Sequence, residues 1–179
     1  NPRPAAPDAV GGTLKAGALN VLNVITTQNA RGANTPQELE RQRAKLVEAI
    51  VGLDADILGL IEIENNGKTA LTDLVGAVNT RLGSAVYAFR DAGVPGTDEI
   101  KVAVIYKTAR VDAIGNPVVP DDPDFIVDGG LRPPVAQRFA ARDNGGGLWF
   151  VVSHLKSKGS CPSAADRPDR DLGQGCWND

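Results

Sequence analysis

Glu62 and Glu64 stand two residues apart where an apolar run, Ile57-Leu58-Gly59-Leu60-Ile61, gives way to polar groups, and Asn65 and Asn66 follow at once. A carboxylate at such a point can hold a hard divalent cation, because magnesium-type ions prefer oxygen ligands, keep several waters and need only one or two carboxylates. The plain alternative is a pair of solvated side chains at the end of an ordinary strand. On a strand, residues two apart share a face, so the two glutamates should point together and Ile63 away. Asn20 and Asn23 interrupt another apolar stretch, and amides in such a place need hydrogen-bond partners or a chemical task. His154, the chain's single histidine, ends the run Trp149-Phe150-Val151-Val152-Ser153 and is not placed near the cysteines as a zinc site would need.

These groups require a scaffold, and strand and helix signals alternate along the chain. The run ending at Glu62 is too short for a membrane span and suits a buried strand of parallel type. In open α/β sheets, ligands bind at the carboxyl ends of such strands. Residues 14–25 contain a first strand. Thr35-Pro36-Gln37-Glu38 has the form of a capping box with proline at the first helical position. Leu39, Leu46, Ile50 and Leu53 then fall on one stripe, with Val47 beside it and Gly52 available as a terminator. Arg43 shares the stripe, where it either snorkels to solvent or pairs with Asp54 or Asp56. Leu71, Leu74, Val75, Val78 and Leu82 give a second amphipathic helix, stopped near Gly83. Strands are predicted at 86–89, 101–107, 135–140 and 148–154. Turns or loops are predicted at Gly93-Val94-Pro95-Gly96, at Gly115-Asn116-Pro117, over 120–124 and at Asn144-Gly145-Gly146-Gly147. The spacing suits hairpins, so the expected fold is α/β, a mixed sheet with helices on one face and no internal repeat.

A chain of 179 residues is long enough for one domain with a real core, or for part of a larger one. Its formal net charge of −3 means that contact with nucleic acid must come from a local basic patch. Methionine is absent, aromatic residues are few, and alanine, valine and glycine abound, a composition like that of soluble bacterial proteins. No apolar run approaches a transmembrane length. Residues 1–13, opening Asn1-Pro2-Arg3-Pro4-Ala5-Ala6-Pro7, read as a linker or the trimmed start of a mature chain. Cys161 and Cys176 lie in a glycine- and aspartate-rich segment and are either free thiols or a disulfide made in an oxidising compartment. The bridge would stabilise by about 3 kcal/mol on loop-entropy grounds, and the polar loop has little else to order it, which favours the bridge. The tail 156–179 carries Lys156, Lys158, Arg167 and Arg170 among Asp166, Asp169 and Asp171 without EF-hand spacing, so it reads as a solvated loop.

Taken in order, Asn20, Glu62 and His154 resemble the set seen in the endonuclease/exonuclease/phosphatase superfamily. Longer matches strengthen the likeness: Arg31-Gly32-Ala33-Asn34, Glu62-Ile63-Glu64-Asn65, Gly96-Thr97-Asp98-Glu99-Ile100-Lys101, Arg132-Pro133-Pro134, His154-Leu155-Lys156-Ser157-Lys158-Gly159-Ser160 and Gly173-Gln174-Gly175-Cys176-Trp177-Asn178. Together, from about Leu14 onward, they look like the secreted bacterial nucleases of that superfamily, whose catalytic domain resembles deoxyribonuclease I. The resemblance implies that Glu62 binds a divalent metal, magnesium first, with manganese or calcium possible, and that Asn20 supports the metal and phosphate. It implies that His154 contacts the scissile phosphate and that Asp98 orients it. Arg132 matches an arginine that contacts the nucleic-acid backbone, Lys107 is a further basic position near it, and Lys156 and Lys158 add charge after His154. Glu64 departs from deoxyribonuclease I, which has an arginine there.

The implied reaction is metal-dependent hydrolysis of a nucleic-acid phosphodiester, with the metal and a cationic histidine stabilising developing charge. The attacking water needs a general base, which in the family is a second histidine late in the domain. That histidine and the Gly-Asp-x-Asn and Asp-His motifs are absent here. The implied fold is a four-layered α/β sandwich of two similar halves, of which residues 14–179 would supply the first. The expectation is a fragment of a secreted, extracellular or periplasmic bacterial nuclease, inactive or nearly so alone. It should pair with a second copy or with the missing C-terminal half, so that no sheet face is left bare. Two other functions compete: a phospholipid or phosphoinositide phosphodiesterase of the same superfamily, and a non-catalytic nucleic-acid-binding module. The first lacks an aromatic-rich membrane hairpin to support it.

Overall fold

Strand β1 (Ala16–Val24) runs parallel to β2 (Ile57–Glu64), and α1 (Pro36–Leu53) carries the chain between them. The computed structural model describes residues 11–27, 30–120 and 132–155, so Lys156, Lys158, Cys161 and Cys176 lie outside the described residues, as do the linker residues 1–10. The hydroxyl of Thr35 caps α1 by accepting from the Glu38 N–H at 3.2 Å. The Glu38 carboxylate returns to the N–H of Asn34 at 2.9 Å, one residue earlier than a capping box requires. The helix stops at Asp54, not at Gly52. Asp54 takes the left-handed φ of 50°, which aspartate tolerates better than most residues because its short polar side chain can bond locally. Val47 and Ile50 are buried, whereas Leu53, expected on the same stripe, is exposed. Arg43 is neither a simple snorkelling side chain nor a partner of Asp54 or Asp56. It bonds Glu40 on its own helix and, at 2.5 Å, Asp73 on α2 (Thr69–Leu82), which ties the helices together. Helix α2 ends as expected, at Gly83 with a φ of 72°.

Strands β3 (Tyr87–Phe89) and β4 (Ile100–Lys107) complete a four-stranded mixed sheet in the order β1-β2-β4-β3, with β4 antiparallel to β2 and β3. The remaining strands form a separate antiparallel sheet, β5 (Val111–Val118), β6 (Val135–Ala141) and β7 (Gly147–Val152), in that order. The expected α/β class with helices on one face holds, with the strands divided between two sheets. Alternation along β2 and β4 sets the layers. Leu58, Leu60, Ala103 and Ile105 meet Ile50, Leu71, Leu74 and Val78 of the helices. Ile57, Val102, Val104 and Tyr106 meet Val111, Val135, Phe139 and Val152 of the second sheet. The three layers are therefore helices, mixed sheet and antiparallel sheet. The sheet face expected to need a second copy or the missing half as cover is instead packed against the chain's own β5, β6 and β7.

At Gly59 the sheets approach closely, since a Cβ there would sit 2.7 Å from Cγ2 of Val152. Gly115-Asn116-Pro117, read as a turn from sequence, lies inside β5. Gly115 has a φ of 70° and the register against β6 shifts between Ile114 and Val118, so the turn-like residues make a bulge. Among the described residues no helix is long and apolar enough to cross a membrane.

Candidate active site

The site forms at the edge where β1 and β2 end and β4 begins, and β2 does not keep its alternation to that edge. Ile61 and Ile63 pair with the consecutive residues Val102 and Lys101, so Glu62 is an extra residue on the β4 side. On the other side, Val21, Leu22 and Asn23 lie between the pairs Asn20–Ile61 and Val24–Ile63. Glu62, Leu22 and Asn23 have φ of 71°, 56° and 51°. Such left-handed backbone costs of order 1–3 kcal/mol per residue and persists only where the surroundings over-determine it. The bulge turns the Glu62 side chain out of the sheet pattern. It also places Ile61 among the residues packed toward the second sheet and Ile63 among those packed on the helices, although they are two apart.

Asn20 donates its Nδ2 to Oε1 of Glu62 at 2.7 Å, and its own Oδ1 accepts the Leu22 N–H at 2.8 Å, which fixes the amide's orientation. Nε2 of His154, two residues past β7, lies 3.6 Å from the same Oε1. The strands thus bring together Asn20, Glu62 and His154, as the sequence led us to expect. Glu64 does not share the task of Glu62. Its buried carboxylate accepts the N–H and the hydroxyl of Thr26 at 2.6 and 2.5 Å, the Thr27 hydroxyl at 2.5 Å and Nδ2 of Asn66 at 2.7 Å. Burial alone would raise its pKa, but the Thr26 and Thr27 donors hold it below the ordinary value. Asn66 in turn accepts the Ala70 N–H at the start of α2, so Glu64 anchors loops and is not a second metal carboxylate.

Asp98 does not orient His154 directly, because Arg132 stands between them. Nε and Nη2 of Arg132 bond Oδ2 of Asp98 at 3.0 and 2.9 Å, while its Nη1 lies 3.2 and 3.3 Å from the two ring nitrogens of His154. Burial first, and then the Arg132 charge, push the His154 pKa below its ordinary value against the pull of Glu62 and Asp98. These surroundings disfavour the cationic form of His154 that the resemblance implies. Lys107 is not near Arg132. It lies at the far end of β4, roughly 20 Å away by strand rise, bonded to the carbonyl and carboxylate of Asp54 at 2.9 and 2.6 Å.

Three contributors carried no signal that composition or periodicity could reveal. Arg31 bonds Oδ1 of Asp98 at 3.1 Å. Lys101, buried to 1 % exposure, donates Nζ to the carbonyls of Gly67 and Gly93 at 2.7 and 2.6 Å, and Asn65 donates Nδ2 to those of Pro95 and Asp98 at 2.9 and 3.0 Å. Together they tie down the loop that presents Asp98. Among the described residues, hydrogen bonding engages Glu62 only through Oε1. The second carboxylate oxygen suits a hard cation held by one carboxylate and water. Among the described residues no cluster of three or more His, Cys, Asp or Glu could hold a metal ion, so a cation here would rely on Glu62, water and substrate oxygens.

Residues 26–173 match the model of the endonuclease/exonuclease/phosphatase family. Among solved structures the chain is similar to an endonuclease/exonuclease/phosphatase family protein from Bacteroides thetaiotaomicron, with a TM-score of 0.53 and 19 % identity over 77 % of this chain and 47 % of that one. A mannosyl-6-phosphatase from the same organism gives 0.54 and 19 % over 82 % and 54 %, and the human Nocturnin catalytic domain with bound sulfate gives 0.52 and 18 % over 80 % and 50 %. At these identities the likeness is one of fold, and the chain spans about half the length of each. No curated protein sequence matches it.

Proposed function

We propose that this chain, which belongs to the endonuclease/exonuclease/phosphatase family, supplies the metal-holding and phosphate-gripping part of a metal-dependent phosphodiesterase acting on nucleic acid. Members of the family hydrolyse phosphodiesters and phosphate esters and generally use divalent metals. What supports the reading is the convergence of Asn20, Glu62 and His154 at one sheet edge, at 2.7 and 3.6 Å, from segments far apart in sequence. A divalent cation bound by Glu62 supplies Lewis-acid stabilisation of a phosphate oxygen. Asn20 keeps the carboxylate aimed, His154 offers an N–H to a phosphoryl oxygen, and Arg132, held by Asp98, adds delocalised positive charge. Activation of the attacking water is assigned to a group outside this sequence, so the chain alone binds metal and nucleic acid but turns over slowly or not at all. Secretion belongs to the same proposal and rests on reading Cys161 and Cys176, from the sequence, as a disulfide made in an oxidising compartment.

A sugar phosphate is the competing substrate, since one structural neighbour is named a mannosyl-6-phosphatase. Two guanidiniums around Asp98 beside His154 favour a polyanion over a single phosphate. Adding Mn²⁺ to ¹⁵N-labelled chain tests the metal assignment. Paramagnetic broadening should centre on Asn20, Glu62 and His154 and vanish in Glu62→Ala, with a single-stranded oligonucleotide then perturbing the same residues. Broadening centred on Glu64, or on the Asp54–Asp56 end of the sheet, would refute it.

A further inference from the structure

We infer that Arg31 is a second phosphate-binding side chain, placed to grip the phosphate next to the one held at Glu62 and His154, so that the site takes a chain of phosphodiesters and not an isolated phosphate. The inference rests on the functional reading above and adds to it a second phosphate subsite with a named side chain. Asp98 receives a guanidinium on each oxygen, but the two arginines are not equivalent. Arg132 is 14 % exposed, and its donors are used on Asp98 and His154. Arg31 is 44 % exposed and, among the described residues, spends one N–H on Asp98. A guanidinium carries five N–H donors, so most of those on Arg31 face solvent beside the site.

Neutralising Asp98 does not need Arg31. The carboxylate, only 9 % exposed, already has the charge of Arg132 at 2.9 Å and the N–H of Ile100 at 3.2 Å. Adding Arg31 makes the group net cationic, and its charge reaches the His154 imidazole, where it opposes protonation. The backbone holds Arg31 in place. At Gly32 a Cβ would lie 2.7 Å from the Asn23 carbonyl oxygen and 2.9 Å from Cβ of Ile25, so the loop rests directly on the end of β1 as only glycine allows. On its other side, Asn34 is bonded through its N–H to Glu38 of α1. A fork-shaped donor on a pinned loop loses little freedom when it binds a phosphate.

The test compares two probes in magnesium buffer, a fluorescein-labelled single-stranded oligodeoxynucleotide read by anisotropy across a potassium chloride series and a nucleoside 5′-monophosphate read by NMR shift. Arg31→Gln should weaken oligonucleotide binding about tenfold, as expected for one lost charge-assisted contact. It should also lower the slope of log affinity against log salt by about 0.7. Its effect on the monophosphate should be several-fold smaller. Arg31→Lys should restore most of the salt slope and only part of the affinity, because lysine keeps the charge and loses the fork. An unchanged slope in Arg31→Gln, or equal losses on both probes, would mean that Arg31 acts only through Asp98 and would overturn the inference while leaving the metal site untouched. A wild-type chain that binds neither probe would overturn the functional reading and this inference with it.

Discussion

His154 is the chain's only histidine, so its imidazole reports the site without ambiguity. Burial and then Arg132 hold its pKa down. Arg132→Ala removes the nearby like charge, and the midpoint of the imidazole proton titration by NMR should move upward; a downward shift or none would remove Arg132 from the ring. The sign for stability follows from linkage. A base with a lowered folded pKa contributes fully above its ordinary value, and that stability is lost as pH falls through the window just beneath it. Glu64 runs the same way, in a more acidic window. Its lowered carboxylate pKa, set by donors that outweigh burial, gives stability above the ordinary value that disappears as pH falls through the folded one. Glu64→Gln should therefore cost about 2 kcal/mol at neutral pH, with the gap from wild type closing in acid, as urea midpoints would show. Glu62, Asn20 and His154 were legible in the sequence through their ordered resemblance to a known family, since an apolar run that ends or breaks at a polar residue fits an ordinary strand end equally well. The interposed Arg132, the displaced Lys107 and the buried Lys101 were not, since what decides them is which loop meets which strand end.

At the scale of elements, the helices were readable because an apolar stripe, a capping threonine and a terminal glycine act within a few residues of one another. The strands were readable apart from β5, which was not expected as a strand at all, and from the places where the chain bulges. Turn chemistry and bulge chemistry use the same residues, so Gly115-Asn116-Pro117 signals both a corner and a kink inside β5. The bulge at Glu62 has no marker at all, because nothing in the run Ile61-Glu62-Ile63 says that the period of two will slip. The contact between the sheets makes its own prediction at Gly59. In Gly59→Ala the new methyl must push Val152 back from 2.7 Å, and overpacking of this kind costs about 2 kcal/mol. Because His154 follows Val152 by two residues, the same variant should also weaken Mn²⁺ broadening at His154 more than at Asn20. A lowered thermal midpoint with the metal signature unchanged at both residues would show that the site does not depend on the sheet spacing.

For the whole molecule, the layered order leaves one sheet face without a cover among the described residues. Residues paired across β5, β6 and β7 form two rows, Ile114 with Arg138 and Trp149, and Val118 with Ala136 and Val151. Ile114, Val118, Trp149 and Val151 are all exposed, so the rows make one apolar patch with a single cation in it. A contiguous apolar face of this kind drives association in water. The occupant that this chain itself can provide is a second copy, through a two-fold contact in which the patch meets itself. Arg138 lies inside each patch, and like charges brought together in a low-dielectric contact oppose it, so the pairing should be weak and should tighten at higher salt. Sedimentation velocity over a concentration series should show a reversible dimer favoured by salt. Trp149→Lys combined with Val151→Lys should leave a monomer throughout, with Mn²⁺ binding at Glu62 retained because the patch lies on the face of the second sheet turned away from the mixed sheet. A wild-type chain that stays monomeric at every concentration and salt would mean that this face does not pair with itself.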